Sequence, residues 1–271
     1  MTALRKKKHP KPTDRCIFCG GKSKLTGEHV WADLLRNYLA RTEPNNFHWT
    51  MYQGGEPEPG ILHRPGDAHS QKLKVVCGPC NNGWMSRLQE HAKPILVPLI
   101  QDDWPEIDES AQALFAAWAA MFTMVFEFAD VRSATIPQEH RTALMNLGTV
   151  PRDWSIWIGR HDPGSDHPAF ANHHGWLMDA TDLAKRLTKR HYCQVTGFTV
   201  GRLYVQTVTI TPPILVIEHE AFATAYDLRT IIPFRGSITS RPATALSRET
   251  RQVAANDPVR SFGFRHMTRG P

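Results

Sequence analysis

Cys16-Ile17-Phe18-Cys19, then Glu28-His29, then Cys77-Gly78-Pro79-Cys80-Asn81-Asn82 are the stretches that decide how this chain is read. A Cys-x-x-Cys pair puts two thiolates on one tight turn, and two such pairs supply the four sulfurs that a tetrahedral Zn²⁺ site takes. Cysteines also serve as plain packing residues, or as disulfides in secreted proteins. Two separate pairs, each beside a glycine, favour the metal, so Cys16, Cys19, Cys77 and Cys80 are the expected structural zinc ligands. The loop between Cys19 and Cys77 is far longer than in a compact zinc finger. Further structure is expected inside it.

A chain of 271 residues forms one large domain or two small ones. Its 41% hydrophobic and 21% charged content is that of a globular protein and excludes a disordered one. The net charge of +6 is compatible with a nucleic-acid partner without establishing it. Four of the five cysteines are in the pairs, leaving Cys193 as an expected buried free thiol. A metal clip with one spare thiol suits a reducing, cytoplasmic compartment, and the N-terminus lacks the apolar core of a signal peptide. Ala113 to Phe126 is apolar nearly all round, but it is shorter than the roughly 20 residues of a spanning helix. Asp108 and Glu109 precede it and Glu127 and Asp130 follow. It reads as a buried core helix, with no membrane partner.

Along the chain, residues 1–15 form a flexible basic arm carrying Arg5-Lys6-Lys7-Lys8. Residues 16–98 are the zinc-stabilised unit. In it, apolar residues at 31, 34, 35, 38 and 39 have helical spacing, and Leu73-Lys-Val-Val76 reads as a strand delivering Cys77. A helix carrying Trp84, Leu88 and Ile95 is expected to stop at Pro94 and Pro98. The Pro/Gly-rich stretch 41–70 is expected to be a substrate-contacting hairpin or partly disordered. Residues 108–236 read as a separate α+β unit of unassigned role. It contains a helix over 137–147 between Pro137 and Gly148, a strand from Trp154, and a hairpin over 194–210 turning at Gly201-Arg202. Trp154, Trp157 and Tyr204 read as strand packing, and His173-His174, like Asp166-His167, as loop. From Ser237 to 271 a loosely ordered, Arg-rich tail is expected. The fold class is therefore α+β, with an N-terminal zinc-stabilised unit followed by an α+β unit.

A histidine at a strand end can act as general base, because its ordinary pKa lies near neutrality. That places His29 as a candidate base. Glu28 offers a hard carboxylate oxygen and Asn81 a hard amide oxygen, so together they suit Mg²⁺ or another divalent ion while leaving its coordination sphere open. Such a constellation fits phosphodiester hydrolysis. The plainer readings are a satisfied core or surface His29, a solvated Glu28, and Asn81 as a helix N-cap.

The order Cys-x-x-Cys, Glu-His, Cys-x-x-Cys-Asn resembles the HNH nucleases over about residues 14 to 95. The resemblance implies a ββα-metal core on a four-cysteine zinc site, with a DNA substrate and products bearing 5′-phosphate and 3′-hydroxyl ends. It implies His29 as general base and Glu28 and Asn81 as ligands of the catalytic ion, Asn82 taking that place if the helix starts one residue later. Phage-encoded and restriction nucleases share the pattern. The chain departs from it twice. Ser70-Gln71-Lys72-Leu73 lacks the asparagine that orients the base in the family, leaving Gln71 or His69 to stand in. Gly83-Trp84 occupies the place of a basic residue. The missing asparagine keeps a second expectation open, a catalytically inactive zinc-dependent nucleic-acid-binding protein of the same fold. The second unit is expected to serve target recognition or oligomerisation.

Overall fold

The computed structural model describes residues 13–31, 33–38, 47–49, 52–53, 56–57, 62–64, 71–164, 169–178, 191–210, 215–260 and 265–266. Arg5 to Lys8, His69, Ser70, Asp166 and His167 lie outside the described residues. The architecture mixes helix and sheet, with the cysteine cluster near the N-terminus.

Strand β1 (Leu25–His29) pairs antiparallel with β6 (Lys72–Cys77), matching Leu25 with Cys77, Glu28 with Leu73 and His29 with Lys72. Between them the chain makes β2 (Phe47–Trp49), β3 (Tyr52–Gln53), β4 (Glu56–Pro57) and β5 (Leu62–Arg64). β2 pairs with β5 and β3 with β4, so the excursion expected to hold a hairpin carries a nested antiparallel one. The β1–β6 register shifts between Thr26 and Glu28, where β6 holds one residue more than β1. β6 alternates exposed Lys72 and Lys74 with buried Leu73 and Val75, a half-buried strand.

β6 runs directly into a helical turn α1 (Gly78–Cys80), a π-turn over Asn81–Met85 and then α2 (Ser86–Ile100). The non-helical Gly83 (φ −96°, ψ −108°) sits inside the π-turn, a feature often found at functional sites. The expected stop at Pro94 and Pro98 is not made: both lie inside α2. Each proline removes a bond to the carbonyl four residues earlier, on Glu90 and Pro94. Both of those residues are exposed, so water can serve the freed carbonyls, while Ala92, Leu96, Leu99 and Ile100 bury the opposite face.

Helix α3 (Glu109–Phe126) opens on Asp108, whose carboxylate accepts the Ala111 N–H at 2.8 Å. It is the one helix among the described residues long and apolar enough to cross a membrane by length and composition, and 78% of its apolar window is buried. It packs on a sheet ordered β12-β7-β10-β9-β8. These strands are β7 (Trp154–His161), β8 (Ala169–Met178), β9 (His191–Val200), β10 (Leu203–Ile210) and β12 (Arg229–Ile232). β11 (Leu215–Val216) lies outside this sheet, and β13 (Ala245–Leu246) joins β7 in parallel. The expected hairpin is β9–β10, turning through Gly201 at φ 54°, a left-handed conformation that favours glycine. The expected helix is α4 (Gln138–Leu147), ended by Gly148 at φ 65°.

Strand alternation divides the sheet's two faces. Ile156, Ile158, Leu203 and Val205 face α3, while Trp157 and Tyr204 pack with Phe222 of α5 (His219–Tyr226) and with Ala254 of α6 (Arg248–Arg260). His173 and His174, read as loop, are in β8, because pairing with Thr196 and Val195 of β9 overrides their weak strand character. The stretch expected as a loose tail instead contributes β13 and α6, with Leu246, Arg251 and Ala254 buried. Cys193 is a buried free thiol. One cluster of buried side chains joins Cys16, Phe18, Trp31, Val75 and Cys80 to Trp118, Phe122 and Phe198, the Trp31 and Phe122 rings lying 5.1 Å apart.

Candidate metal centre and active site

The first cysteine pair sits on a turn closed by Cys16 N–H to Gly21 O (3.0 Å) and Gly20 N–H to Cys16 O (2.9 Å), with Gly20 at φ 68°. Ile17 N–H donates to Val75 O at 3.0 Å, which sets this turn against β6. The second pair lies where β6 becomes α1, Cys77 being its N-cap. All four sulfurs lie within 4.8 Å of one another, and Cys19 and Cys77 Sγ are 3.7 Å apart. A tetrahedron with Zn–S bonds of roughly 2.3 Å has edges of roughly 3.8 Å, so the donor set and its size fit one metal ion such as zinc. Cys16, Cys77 and Cys80 are buried and Cys19 is exposed.

The thiols are uneven. Burial alone would raise Cys16, but N–H donors of Cys19, Cys77 and Phe18, with the Cys19 thiol, bring it down to about 7. Cys80 is pushed well up, by burial first and then by the neighbouring sulfurs. Burial likewise raises Cys77. Four clustered thiolates repel one another, and a divalent cation at their centre removes that penalty. The metal turn is also docked on later chain: Phe18 meets Trp84 edge-on at 4.8 Å, and Gln138 Nε2 of α4 donates to Phe18 O at 2.9 Å.

Across the β1–β6 ladder Glu28 stands opposite buried Leu73 and His29 opposite exposed Lys72, and Glu28 and His29 line the same small cavity. Glu28 is 7% exposed; Gln89 Nε2 of α2 donates to its Oε1 at 3.4 Å. Asn81 Nδ2 donates to Thr26 Oγ1 at 3.2 Å, which leaves its amide oxygen outside that bond. Asn81 thus meets β1 at Thr26, and Glu28, two residues on, meets Gln89 of α2. Exposed Asn82 follows in the π-turn. Val30 N–H donates to Gln71 O at 2.9 Å, so Gln71 fixes the peptide after His29 through its backbone. A small cavity of about 20 Å³ opens beside Glu28 and His29, walled by Met85, Gln89 and, from α3, Trp118 and Phe122.

Among the described residues, the four cysteines are the one His/Cys/Asp/Glu group spaced for a metal ion. His173 instead places Nδ1 at 2.7 Å from Thr196 Oγ1 and Nε2 at 3.1 Å from Ser133 O. Gln89 and the α3 wall were missed by sequence reasoning. Gln89 lies eight residues past Asn81 across the π-turn, and no local sequence signal marks its approach to Glu28. Comparison with protein-family models, curated proteins and solved structures finds no match.

Proposed function

We propose that this chain is a metal-dependent endonuclease of the HNH type that hydrolyses DNA phosphodiester bonds. The observation that carries the reading is the order and pairing around the four cysteines. β1, bearing Glu28 and His29, pairs with β6, and β6 passes through Cys77 and Cys80 straight into a helical run that reaches Asn81. The resemblance of residues 14 to 95 to the HNH nucleases supplies the roles. The metal at the cysteines is structural. His29 takes the proton of the attacking water; the water oxygen bonds to phosphorus as the P–O3′ bond breaks, and the 3′ oxygen leaves with a proton from solvent. A divalent ion such as Mg²⁺ held by Glu28 and Asn81 would supply positive charge to offset the charge building on the phosphoryl and leaving oxygens. Gln89 holds the Glu28 carboxylate, and Thr26 fixes the Asn81 amide so that its oxygen faces away from that bond.

Zinc-loaded protein is incubated with supercoiled plasmid, with and without added Mg²⁺ or Mn²⁺, beside His29→Ala. Nicking that needs the added ion and disappears in folded, zinc-loaded His29→Ala is the expected result. Binding without nicking by wild type and variant alike would replace this reading with the inactive nucleic-acid-binding one.

A further inference from the structure

The outer face of the β1–β6 ladder carries charge that the reaction above does not use. Directly opposed residues of an antiparallel pair share a face, so Lys72 stands beside His29. Lys74 is exposed with it, while Leu73 and Val75 are buried beneath. Lys22 and Lys24, just before β1, are exposed too. The Lys72 stem lies across Gly27, where an added Cβ would come within 3.1 Å of Lys72 Cδ and 3.3 Å of its Cβ. The missing side chain at Gly27 lets the lysine lie close over the strand. None of these four amines has an ion-pair partner among the described residues. The one carboxylate of the ladder, Glu28, is buried and accepts from Gln89.

We propose that this face is where the phosphate backbone of a duplex nucleic acid lies, Lys72 and Lys74 each holding a phosphate. The choice of partner rests on the nuclease reading and deepens it, because the same placement brings a phosphodiester to His29. Alternate residues on a strand are roughly 7 Å apart. That is comparable with the spacing of neighbouring backbone phosphates, a regular repeat that an acidic protein surface lacks.

The test measures binding of a labelled DNA duplex by zinc-loaded His29→Ala protein, without added hard divalent ions, as a function of salt. Each phosphate contact contributes roughly 0.9 to the slope of log K against log salt, so adding Lys72→Gln and Lys74→Gln is expected to lower the slope by roughly 1.8. For affinities equal at 1 M salt this is roughly a 60-fold loss at 0.1 M. Lys93→Gln, exposed on α2, is expected to leave the slope unchanged, and zinc content reports that every variant is folded. An unchanged slope in the double variant overturns the surface even where wild type nicks plasmid. A lowered slope with no ion-dependent nicking by wild type keeps the surface and removes the nuclease reading. Binding of polyglutamate but not of DNA overturns the proposal in favour of an acidic protein partner.

Discussion

Arg141→Met is expected to destabilise the protein by about 3–5 kcal/mol, because it leaves a carboxylate buried without its cation. Glu127, just past α3, is fully buried, and the Arg141 side chain of α4 is 4% exposed. Glu127 Oε2 accepts the N–H groups of Thr135 (2.9 Å) and Ile136 (3.1 Å), and its Oε1 pairs with Arg141. Arg141 also donates to Met124 O at 2.9 Å. Burial pulls the guanidinium down to about 9, which still leaves it charged at neutral pH. Methionine keeps most of the apolar stem, so the loss is charge and hydrogen bonding rather than volume. Adding Glu127→Gln removes the stranded charge while an amide oxygen still accepts both N–H groups. The double variant is therefore expected to lose about 1–3 kcal/mol less than the two single losses summed. Urea unfolding of zinc-loaded protein, followed by tryptophan fluorescence, measures this. At a slope of about 2–3 kcal/mol per molar, the midpoint of Arg141→Met falls by roughly 1–2 M. A loss below about 1 kcal/mol, or single losses that simply add, would refute the charge-pairing argument.

Chelation at neutral pH is expected to release one zinc per chain and abolish amide protection in β1 and β6, with Cys80→Ser behaving alike; protection that survives metal loss would show that the clip is not structural. His161, 1% exposed, has its pKa lowered from 6.5 to about 4, by burial first, with the Gly201 carbonyl partly opposing and Arg251 adding to the shift. The unfolded chain therefore takes up this proton first, so His161's contribution is complete above pH 6.5 and lost as pH falls towards 4. The loss is about 2 kcal/mol at pH 5, and His161→Gln is expected to flatten the pH dependence by that amount; parallel curves would contradict it. A Cβ on Gly175 would lie 1.9 Å from the backbone oxygen of Ser133, which has no flexible end to move aside. Gly175→Ala should destabilise by about 3 kcal/mol, read as a fall in Tm, and a change under about 1 kcal/mol would mean β8 shifts freely.

The features legible in the amino-acid string are those written within a few residues. The Cys-x-x-Cys turns, Gly148 ending α4, Gly201 turning β9 into β10, and the apolar run of α3 each follow from local backbone preference or periodicity. Tertiary contact decided the rest. The pairing of β1 with β6 closes a long loop, and the one-residue shift within it sets Glu28 opposite Leu73 and His29 opposite Lys72. Pro94 and Pro98 stay helical because the buried face of α2 outweighs two lost hydrogen bonds, and β8 takes in His173 and His174 because β9 offers it a ladder. Gln89 meets Glu28, and α3 walls their cavity, only because helices distant in sequence pack against β1. The chemistry of the candidate site is thus named by short motifs. Which side chain faces which is set by register and packing, which act between residues far apart in the chain and leave no local mark.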